Sequence, residues 1–174
     1  MYFVRDYYAQ HHPEQKVLLL GESAREYIEA HGGMIDNQRN FQSHVFQEEI
    51  ARLEYLRKLR KTGEYDVVCI DRTTMDGMIY SYRNIISGYL GALDFTDDHH
   101  AMIAASKELY DHVVFFSTPI HVDRRFENYN NEHINAVFEH SIKRFYGDKV
   151  ATYTNNIFFQ DNREQNIFGN IFGE

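Results

Sequence analysis

The chain is poor in cysteine, in basic residues and in long apolar runs, and each shortage excludes a class of protein. Cys69 is the single cysteine among 174 residues, so no disulfide forms within the chain and a reducing, cytoplasmic setting is expected. No apolar run approaches the ~18–20 residues of a membrane helix, and the first residues lack the pattern of a signal peptide. We therefore expect no membrane partner.

The charge balance is acidic, with 18 basic and 26 acidic residues and a net charge of −8. A general nucleic-acid binder normally carries a basic face, so this balance argues against a nucleic-acid partner. It leaves open a nucleotide site, because such a site needs only a few local cations.

Strand and helix patterns alternate along the chain. Short apolar runs predict strands at 16–20, 66–70, 112–117 and 150–153. The 3.6-residue periodicity predicts helices at 2–12, 24–30, 41–60, 75–89, 97–109 and 132–146. This alternation predicts one α/β domain over residues 1–174, with a parallel sheet and helices on both faces. Residues 156–174 are interpreted as a docking tail or a helix packed on its own domain.

Polar residues follow three of the predicted strands, in segments 21–25, 71–73 and 117–119. Because the carboxyl ends of parallel strands meet at one edge of a sheet, we expect Glu22 and Asp71 to lie close together, with Arg25 and Arg72 beside them. Such a set supplies a base, a metal-binding acid and cations for phosphate, which are the parts of a phosphoryl-transfer site. The alternative is a pair of structural ion pairs, Glu22 with Arg72 or Asp71 with Arg25.

Three further polar residues fall at helical spacing after the second strand, on the side opposite the apolar stripe: Asp76, Tyr80 and Arg83. Two other patterns predict little chemistry. The acidic pair at 97–98, followed by His99 and His100, is better explained by helix capping and the helix dipole than by a metal site. A nucleophilic hydrolase is disfavoured, because no Gly-x-Ser-x-Gly turn is present.

The two strand-end segments resemble the signatures of one family. Residues 21–33, Gly-Glu-Ser-Ala-Arg-Glu-Tyr-Ile-Glu-Ala-His-Gly-Gly, resemble the Glu-x-Ala-Arg-Glu-Tyr segment of AAA-type, P-loop nucleotide kinase-like proteins, which include the nicotinamide-riboside kinase domain. Residues 71–80, Asp-Arg-Thr-Thr-Met-Asp-Gly-Met-Ile-Tyr, resemble the second signature, Asp-Arg-x-x-x-Asp-x-x-x-Tyr, which is also similar to the Asp/Glu-Arg-Ser stretch of deoxynucleoside kinases. Residues 110–116 resemble the next strand, and the similarity covers residues 14–155.

The resemblance implies a phosphotransferase with ATP as donor and Mg²⁺ as cofactor. Glu22 would be the base or a ligand of the substrate hydroxyl, Asp71 would act through Mg²⁺ or its water, and Arg72 would contact substrate or phosphate. Arg124 and Arg125 fall where such kinases carry an arginine-bearing lid that stabilises the transferring phosphoryl group. The residues implied in substrate binding are Arg25, Gln47, Asp76 and Tyr80, with Phe46 and Gln47 facing the acceptor.

One part of that family's pattern is absent from the sequence. Such kinases begin with a strand, a Gly-x-x-x-x-Gly-Lys-Ser/Thr loop and a helix, and the ten glycines of this chain never take that spacing. The loop supplies backbone N–H donors, a lysine and a Mg²⁺-binding hydroxyl, so its loss removes most of the affinity for ATP. The strand that precedes the loop, which is the central strand of the sheet, is lost as well. Residues 1–12 resemble the helix after the loop, so the chain is expected to begin just behind it. The three explanations are a start site assigned too late, which we favour, a partner chain that supplies the piece, and a degenerate relative.

The sequence thus predicts an ATP-dependent kinase-like domain that phosphorylates a nucleoside, nucleotide or similar small hydroxylated metabolite, truncated or inactive as given. The alternative is a non-catalytic α/β binding or assembly module that retains the fold. A sheet without its central strand exposes an edge that invites pairing with a second copy or with a partner chain.

Overall fold

A computed structural model of the protein describes residues 2–32, 38–86, 97–117 and 131–153. The chain divides into two compact units, residues 1–109 and 110–174, which are described separately below. Both units mix helices with short parallel strands, so the α/β class expected from the sequence is confirmed. In the described residues no helix is both long and apolar enough to cross a membrane.

The described residues of the first unit form two strands and five helices. In chain order they are α1 (Tyr2–His11), β1 (Val17–Leu20), α2 (Ser23–Ala30), α3 (Gln38–Thr62), β2 (Val67–Ile70), α4 (Thr74–Ile86) and α5 (Asp97–Leu109). β1 and β2 pair in parallel, with Val17 opposite Val67 and Leu20 opposite Ile70. The amide of Asp71 extends the ladder by donating to the carbonyl of Leu20 at 3.0 Å. This register brings the residues after both strands to the same edge.

The long helix α3 carries much of the first unit's core because its apolar residues recur with the helical period. Its buried members are Phe41, Leu53, Leu56 and Leu59. Met75 and Ile79 of α4 and Ile103 of α5 are buried as well. The helix ends where Gly63 takes a positive φ of 61° and donates its amide to the carbonyl of Leu59 at 2.9 Å, which closes the last turn.

The second unit holds β3 (Val113–Phe116), α6 (Asn131–Tyr146) and β4 (Val150–Tyr153), with a 3₁₀ turn over Gly147–Lys149. β3 and β4 also pair in parallel, with Val113 opposite Val150 and Phe116 opposite Tyr153. The buried residues of the unit include Val113, Phe138, Ile142, Tyr146 and Tyr153. Lys149 in the turn donates to the carbonyl of Tyr110 at 2.7 Å.

The predicted elements form at the expected places, but the described strands do not join into one sheet. They form two separate parallel pairs, β1 with β2 and β3 with β4. The apolar residues of β1 and β2 are only half-buried, whereas strands inside a parallel sheet are normally covered on both faces. The helical periodicity places Tyr82 in the apolar stripe of α4 and Val137 in that of α6, but both side chains are exposed.

Candidate active site

The adjacent ends of β1 and β2 bring together the two signature segments of the sequence. Leu20 lies opposite Ile70, and the next residue along each strand begins a polar turn. Glu22, Asp71 and Arg72 therefore lie at one edge, as predicted for the polar segments 21–25 and 71–73. The third polar segment, 117–119, begins at Ser117 after β3 in the second unit.

Glu22 stands at the N-cap position of α2, and both of its carboxylate oxygens are engaged by arginines. Its backbone is extended, with φ −82° and ψ 116°, and its side chain makes no capping hydrogen bond. Oε2 lies 3.4 Å from Nη2 of Arg25, and Oε1 lies 3.5 Å from Nε of Arg72. These distances exceed the ~2.7–2.9 Å of strong charge-assisted hydrogen bonds, so both pairs are loose. The Glu22 side chain is 18% exposed.

Arg72 has a left-handed backbone and a charge held by its surroundings. Its φ is +78°, the only positive value among the described residues other than glycine, and such a conformation costs about 1–2 kcal/mol in a residue with a side chain. Its guanidinium spans from Glu22 to Asp76, with Nη1 3.5 Å from Oδ1 of Asp76. Burial disfavours the charged guanidinium, yet its neighbours raise the pKa of Arg72, with Asp76 contributing most among them. The further contributors are Tyr80, Glu22 and Asp71.

Asp76 is buried rather than on a solvent-facing polar side of α4, which corrects the sequence expectation. Its Oδ2 accepts the amide of Thr73 at 2.8 Å and the hydroxyl of Thr73 at 2.6 Å. A carboxylate three residues into a helix that reaches back to the N-cap amide is half of a capping box. Asp76 therefore fixes the start of α4 and supports Arg72.

Asp71 lies near enough to Arg72 to help raise the pKa of its guanidinium, but its carboxylate forms no ion pair with it. Within the described residues it makes no hydrogen bond and no ion pair through its side chain, although its amide continues the strand ladder. No cluster of three or more His, Cys, Asp or Glu side chains with metal-binding geometry occurs among those residues. A cation at Asp71 would therefore draw its other ligands from water and from phosphate, as Mg²⁺ commonly does.

A buried network behind Glu22 was missed by the sequence reasoning. Arg52 of α3 donates through Nη2 to the carbonyl of Gly21 at 2.8 Å and also to the hydroxyl of Ser23. Nη1 of Arg52 lies 3.0 Å from Oε1 of Glu49, which also accepts the Ser23 hydroxyl at 3.0 Å. The side chains of Arg52 and Glu49 are only 10% and 9% exposed. Burial raises the pKa of Glu49, although Arg52 and the Ser23 hydrogen bond act to lower it.

Two local predictions change because of this network. Ser23 followed three residues later by Glu26 is a capping-box pattern, which predicts Ser23 as the N-cap of α2. Instead Glu22 occupies the N-cap position, and the Ser23 hydroxyl donates to Glu49. The four-residue spacing of Glu48 and Arg52 predicts an ion pair along α3, but Arg52 forms a buried pair with Glu49. The burial of Glu49 could have been predicted from its position. It falls four residues after Val45 and four before Leu53, within the apolar stripe of α3.

The other predicted site residues have different outcomes. Tyr80 is half-buried and lies close enough to Arg72 to raise its pKa, while Arg25 is exposed apart from its pair with Glu22. Gln47 is exposed, and it points away from the site because two residues along a helix turn it about 160° from Glu49. Phe46 stacks on His99 with ring centroids 3.6 Å apart, so its ring faces α5. Arg124 and Arg125 lie outside the described residues, as does the side chain of Arg83.

An open groove of about 250 Å³ lies beside this edge of the first unit. Its lining residues are Leu20, Gly21, Glu26, Glu48, Ala51, Arg52 and Tyr55. The groove is small beside the ~300–1,000 Å³ of drug-sized ligand pockets. Searches of protein-family models, of curated proteins and of solved structures found no match to this chain.

Proposed function

We propose that the chain provides the acceptor-side half of a Mg²⁺-dependent small-molecule kinase of the P-loop type, whose acceptor is a nucleoside, nucleotide or similar hydroxylated metabolite. The observation that carries the proposal is the Asp71 carboxylate, which makes no hydrogen bond or ion pair within the described residues, beside the Glu22–Arg72 pair at two adjacent parallel strand ends. A carboxylate, an arginine and a second free carboxylate at one such edge are the groups that phosphoryl transfer needs.

In the proposed reaction Glu22 receives the proton of the acceptor hydroxyl. The acceptor oxygen forms a bond to the γ-phosphorus of ATP while the bond from that phosphorus to the bridging oxygen breaks, which leaves ADP. Arg72 releases Glu22 and pairs with the phosphoryl group; its 3.5 Å contacts and its 44% exposed side chain make that exchange easy. Its firmly held charge suits the developing negative charge of the transferred group.

The Mg²⁺ ion would be held at Asp71. The fit rests on the Asp71 carboxylate at the end of β2, which makes no hydrogen bond or ion pair within the described residues, since Mg²⁺ is usually bound by one or two carboxylates together with phosphate oxygens and water. When bound, the ion neutralises phosphate charge. The residues of this chain contribute the anionic anchor at Asp71 and the cationic contact at Arg72.

The proposal includes a phosphate-binding loop from outside these 174 residues, because the Gly-x-x-x-x-Gly-Lys spacing does not occur among them. The division of the described strands into two pairs supports it, since a sheet without its central strand falls into two parts. The in-frame DNA upstream of Met1 tests this directly. Codons for a strand followed by Gly-x-x-x-x-Gly-Lys-Ser/Thr are expected, and a stop codon close upstream would contradict an upstream origin.

Binding of ATP with Mg²⁺ tests the function. A form of the protein that carries the loop should be stabilised against heat by Mg²⁺ and ATP, by about 2.7 kcal/mol when the ligand is at 100 times its Kd. Asp71→Asn should remove most of the Mg²⁺-dependent part, whereas Asp148→Asn, an exposed change in the second unit, should keep it. The 174-residue chain itself should bind ATP weakly or not at all.

A second function is favoured by one specific observation. Both oxygens of Glu22 are already paired with arginines, as a structural ion-pair cluster would have them. In that case the chain is a non-catalytic α/β binding or assembly module. Absence of any thermal shift at millimolar ATP and Mg²⁺ for the loop-bearing form would favour this module over the kinase.

A further inference from the structure

We propose that Arg52 is a positioning residue for Glu22, and that the buried carboxylate of Glu49 holds Arg52 in place for this task. The proposal rests on the proposed function only where Glu22 acts as the base. The fixing of the β1–α2 turn by Arg52 is a separate claim about the molecule and can be measured without any reaction.

The contacts of Arg52 fall on both sides of Glu22 along the chain. One guanidinium nitrogen donates to the carbonyl of Gly21, at 2.8 Å, and to the hydroxyl of Ser23. These are the residues immediately before and after Glu22. Because Arg52 holds the residues on both sides of Glu22, the backbone of Glu22 has little freedom to move. The contacts from α3 therefore set the direction of the Glu22 side chain.

Glu22 depends on this support because its own local contacts are few. Its backbone is extended, and its side chain makes no capping hydrogen bond to α2. Its carbonyl accepts the amide of Glu26 at 3.1 Å, which anchors the carbonyl alone. Its carboxylate reaches Arg25 and Arg72 only through loose contacts of 3.4 and 3.5 Å. The tight contacts of this turn are those made by Arg52.

Glu49, also on α3, holds the Arg52 guanidinium in place. It lies three residues before Arg52, and its Oε1 is 3.0 Å both from Nη1 of Arg52 and from the hydroxyl of Ser23. The guanidinium is planar and presents its donors as a rigid fork, so one ion pair with Glu49 orients the nitrogen that binds Gly21 and Ser23. A lysine amine keeps the charge but cannot reproduce this fork.

The test uses Arg52→Lys in the full 174-residue chain, with Arg57→Lys on the exposed side of the same helix as the matched control. The readout is the side-chain Nε–H signal of Arg72 in ¹⁵N-detected spectra, because that group faces the Glu22 carboxylate at 3.5 Å. Arg52→Lys is expected to shift this signal and to speed its exchange with water about 10-fold in a protein that remains folded. Arg57→Lys should leave it unchanged. An unchanged Arg72 signal in folded Arg52→Lys would overturn the proposal.

Ser23→Ala provides a second variant if Arg52→Lys does not fold, because it removes one anchor and leaves the pair of Arg52 and Glu49 intact. It should shift the Arg72 signal in the same direction, and no shift would contradict the positioning role. In a loop-bearing form, Arg52→Lys should lower kcat about 100-fold with KM within about threefold, as expected of a misplaced catalytic group. If the wild-type loop-bearing form transfers no phosphate, the proposed function fails, and the Arg72 signal alone decides whether Arg52 positions Glu22.

Discussion

The two units of the protein use the same local architecture, a pair of parallel strands with helices packed on them, yet their strand ends differ in chemistry. At the end of β1 and β2, seven charged residues lie within a few positions of the sheet or reach it from α3: Glu22, Arg25, Glu49, Arg52, Asp71, Arg72 and Asp76. At the end of β3 and β4 the described residues supply a hydroxyl and an aromatic ring. Ser117 donates its amide to the carbonyl of Tyr153 at 2.9 Å, and Tyr153 packs near Phe116.

The difference shows that the fold alone does not make the site. Both strand pairs are parallel and both continue their ladders past the last strand residue. In the first unit, however, a long helix places a buried arginine and a buried glutamate directly behind the strand end. Burying two charges is costly unless they are paired and hydrogen-bonded. The strand ends of the second unit carry no such cost within the described residues, since there the Ser117 hydroxyl donates to the carbonyl of Tyr153 at 3.3 Å.

The largest expected effect is on the first unit's buried pair. Arg52→Met keeps the length of the side chain but leaves Glu49 as an unpaired buried charge, and it removes both anchors of the Gly21–Ser23 turn. Loss of one partner from a buried pair costs about 3–5 kcal/mol. Urea unfolding followed by circular dichroism should show this loss. A loss below about 1 kcal/mol would mean that the pair is not buried in solution.

A smaller effect is expected from the strained backbone at the end of β2. Arg72→Ala and Arg72→Gly both remove the guanidinium, but only glycine accepts the φ of +78° without a steric cost. Arg72→Gly should therefore be more stable than Arg72→Ala by about 1 kcal/mol. The second unit offers no such position outside glycine among its described residues. If Ala and Gly are equally stable, the left-handed conformation at Arg72 is not maintained in solution.

The pH dependence of stability tests the burial of Glu49. Burial is the largest cause of its shift and raises its pKa above the ordinary 4.5. A raised pKa in the folded state means that the native protein binds the proton more tightly than the unfolded chain does. The contribution of Glu49 is therefore fully present below pH 4.5 and is lost as the pH rises through the folded pKa.

Glu49→Gln removes this titration. The stability of the wild type relative to Glu49→Gln should fall as the pH is raised from about 4.5 towards 7.5, which urea midpoints at several pH values will show. Effects of the remaining carboxylates cancel in this difference. A difference that stays constant, or that grows with pH, would show that burial does not raise the pKa of Glu49 in the folded protein.

The smallest effect is expected on the surface of the second unit. Lys143 and Glu139 form a 2.6 Å pair on α6, but their side chains are 47% and 35% exposed. Exposed i,i+4 pairs contribute about 0.3–0.5 kcal/mol. Lys143→Gln should therefore change the unfolding free energy by less than about 0.5 kcal/mol, and 0.5 M NaCl should erase the change. A larger, salt-resistant effect would break the contrast between the two units.

The elements of the fold could be predicted from periodicity, because short apolar runs and 3.6-residue stripes are local signals. Helix α5 and strand β4 begin and end at the predicted residues, and the other boundaries differ by a few residues. The division of the strands into two pairs could not be predicted this way, since pairing depends on what lies between strands rather than on the strands themselves. The exposure of Val137 was missed because the buried stripe of α6 is narrower than its apolar sequence suggests.

The site was predicted in part for a related reason. Glu22, Asp71 and Arg72 directly follow apolar runs, and parallel pairing brings such residues together. Arg52 and Glu49 reach the same place from a helix, where charged residues normally indicate a solvated face, and they lie 26 to 31 residues from their partners Gly21 and Ser23 in sequence. Asp76 was assigned to the polar side of α4, but its carboxylate accepts the amide of Thr73 and is buried there.

The most direct test of the central claim is phosphoryl transfer by a loop-bearing form of the protein. With ATP, Mg²⁺ and a panel of nucleosides and nucleotides, the wild type should convert ATP to ADP and transfer the γ-phosphoryl group to one class of acceptor. Asp71→Asn should reduce that transfer about 100-fold, and Asp148→Asn should leave it unchanged. Equal transfer by wild type and Asp71→Asn, or no transfer to any acceptor by the wild type, would contradict the assignment of a kinase site to the ends of β1 and β2.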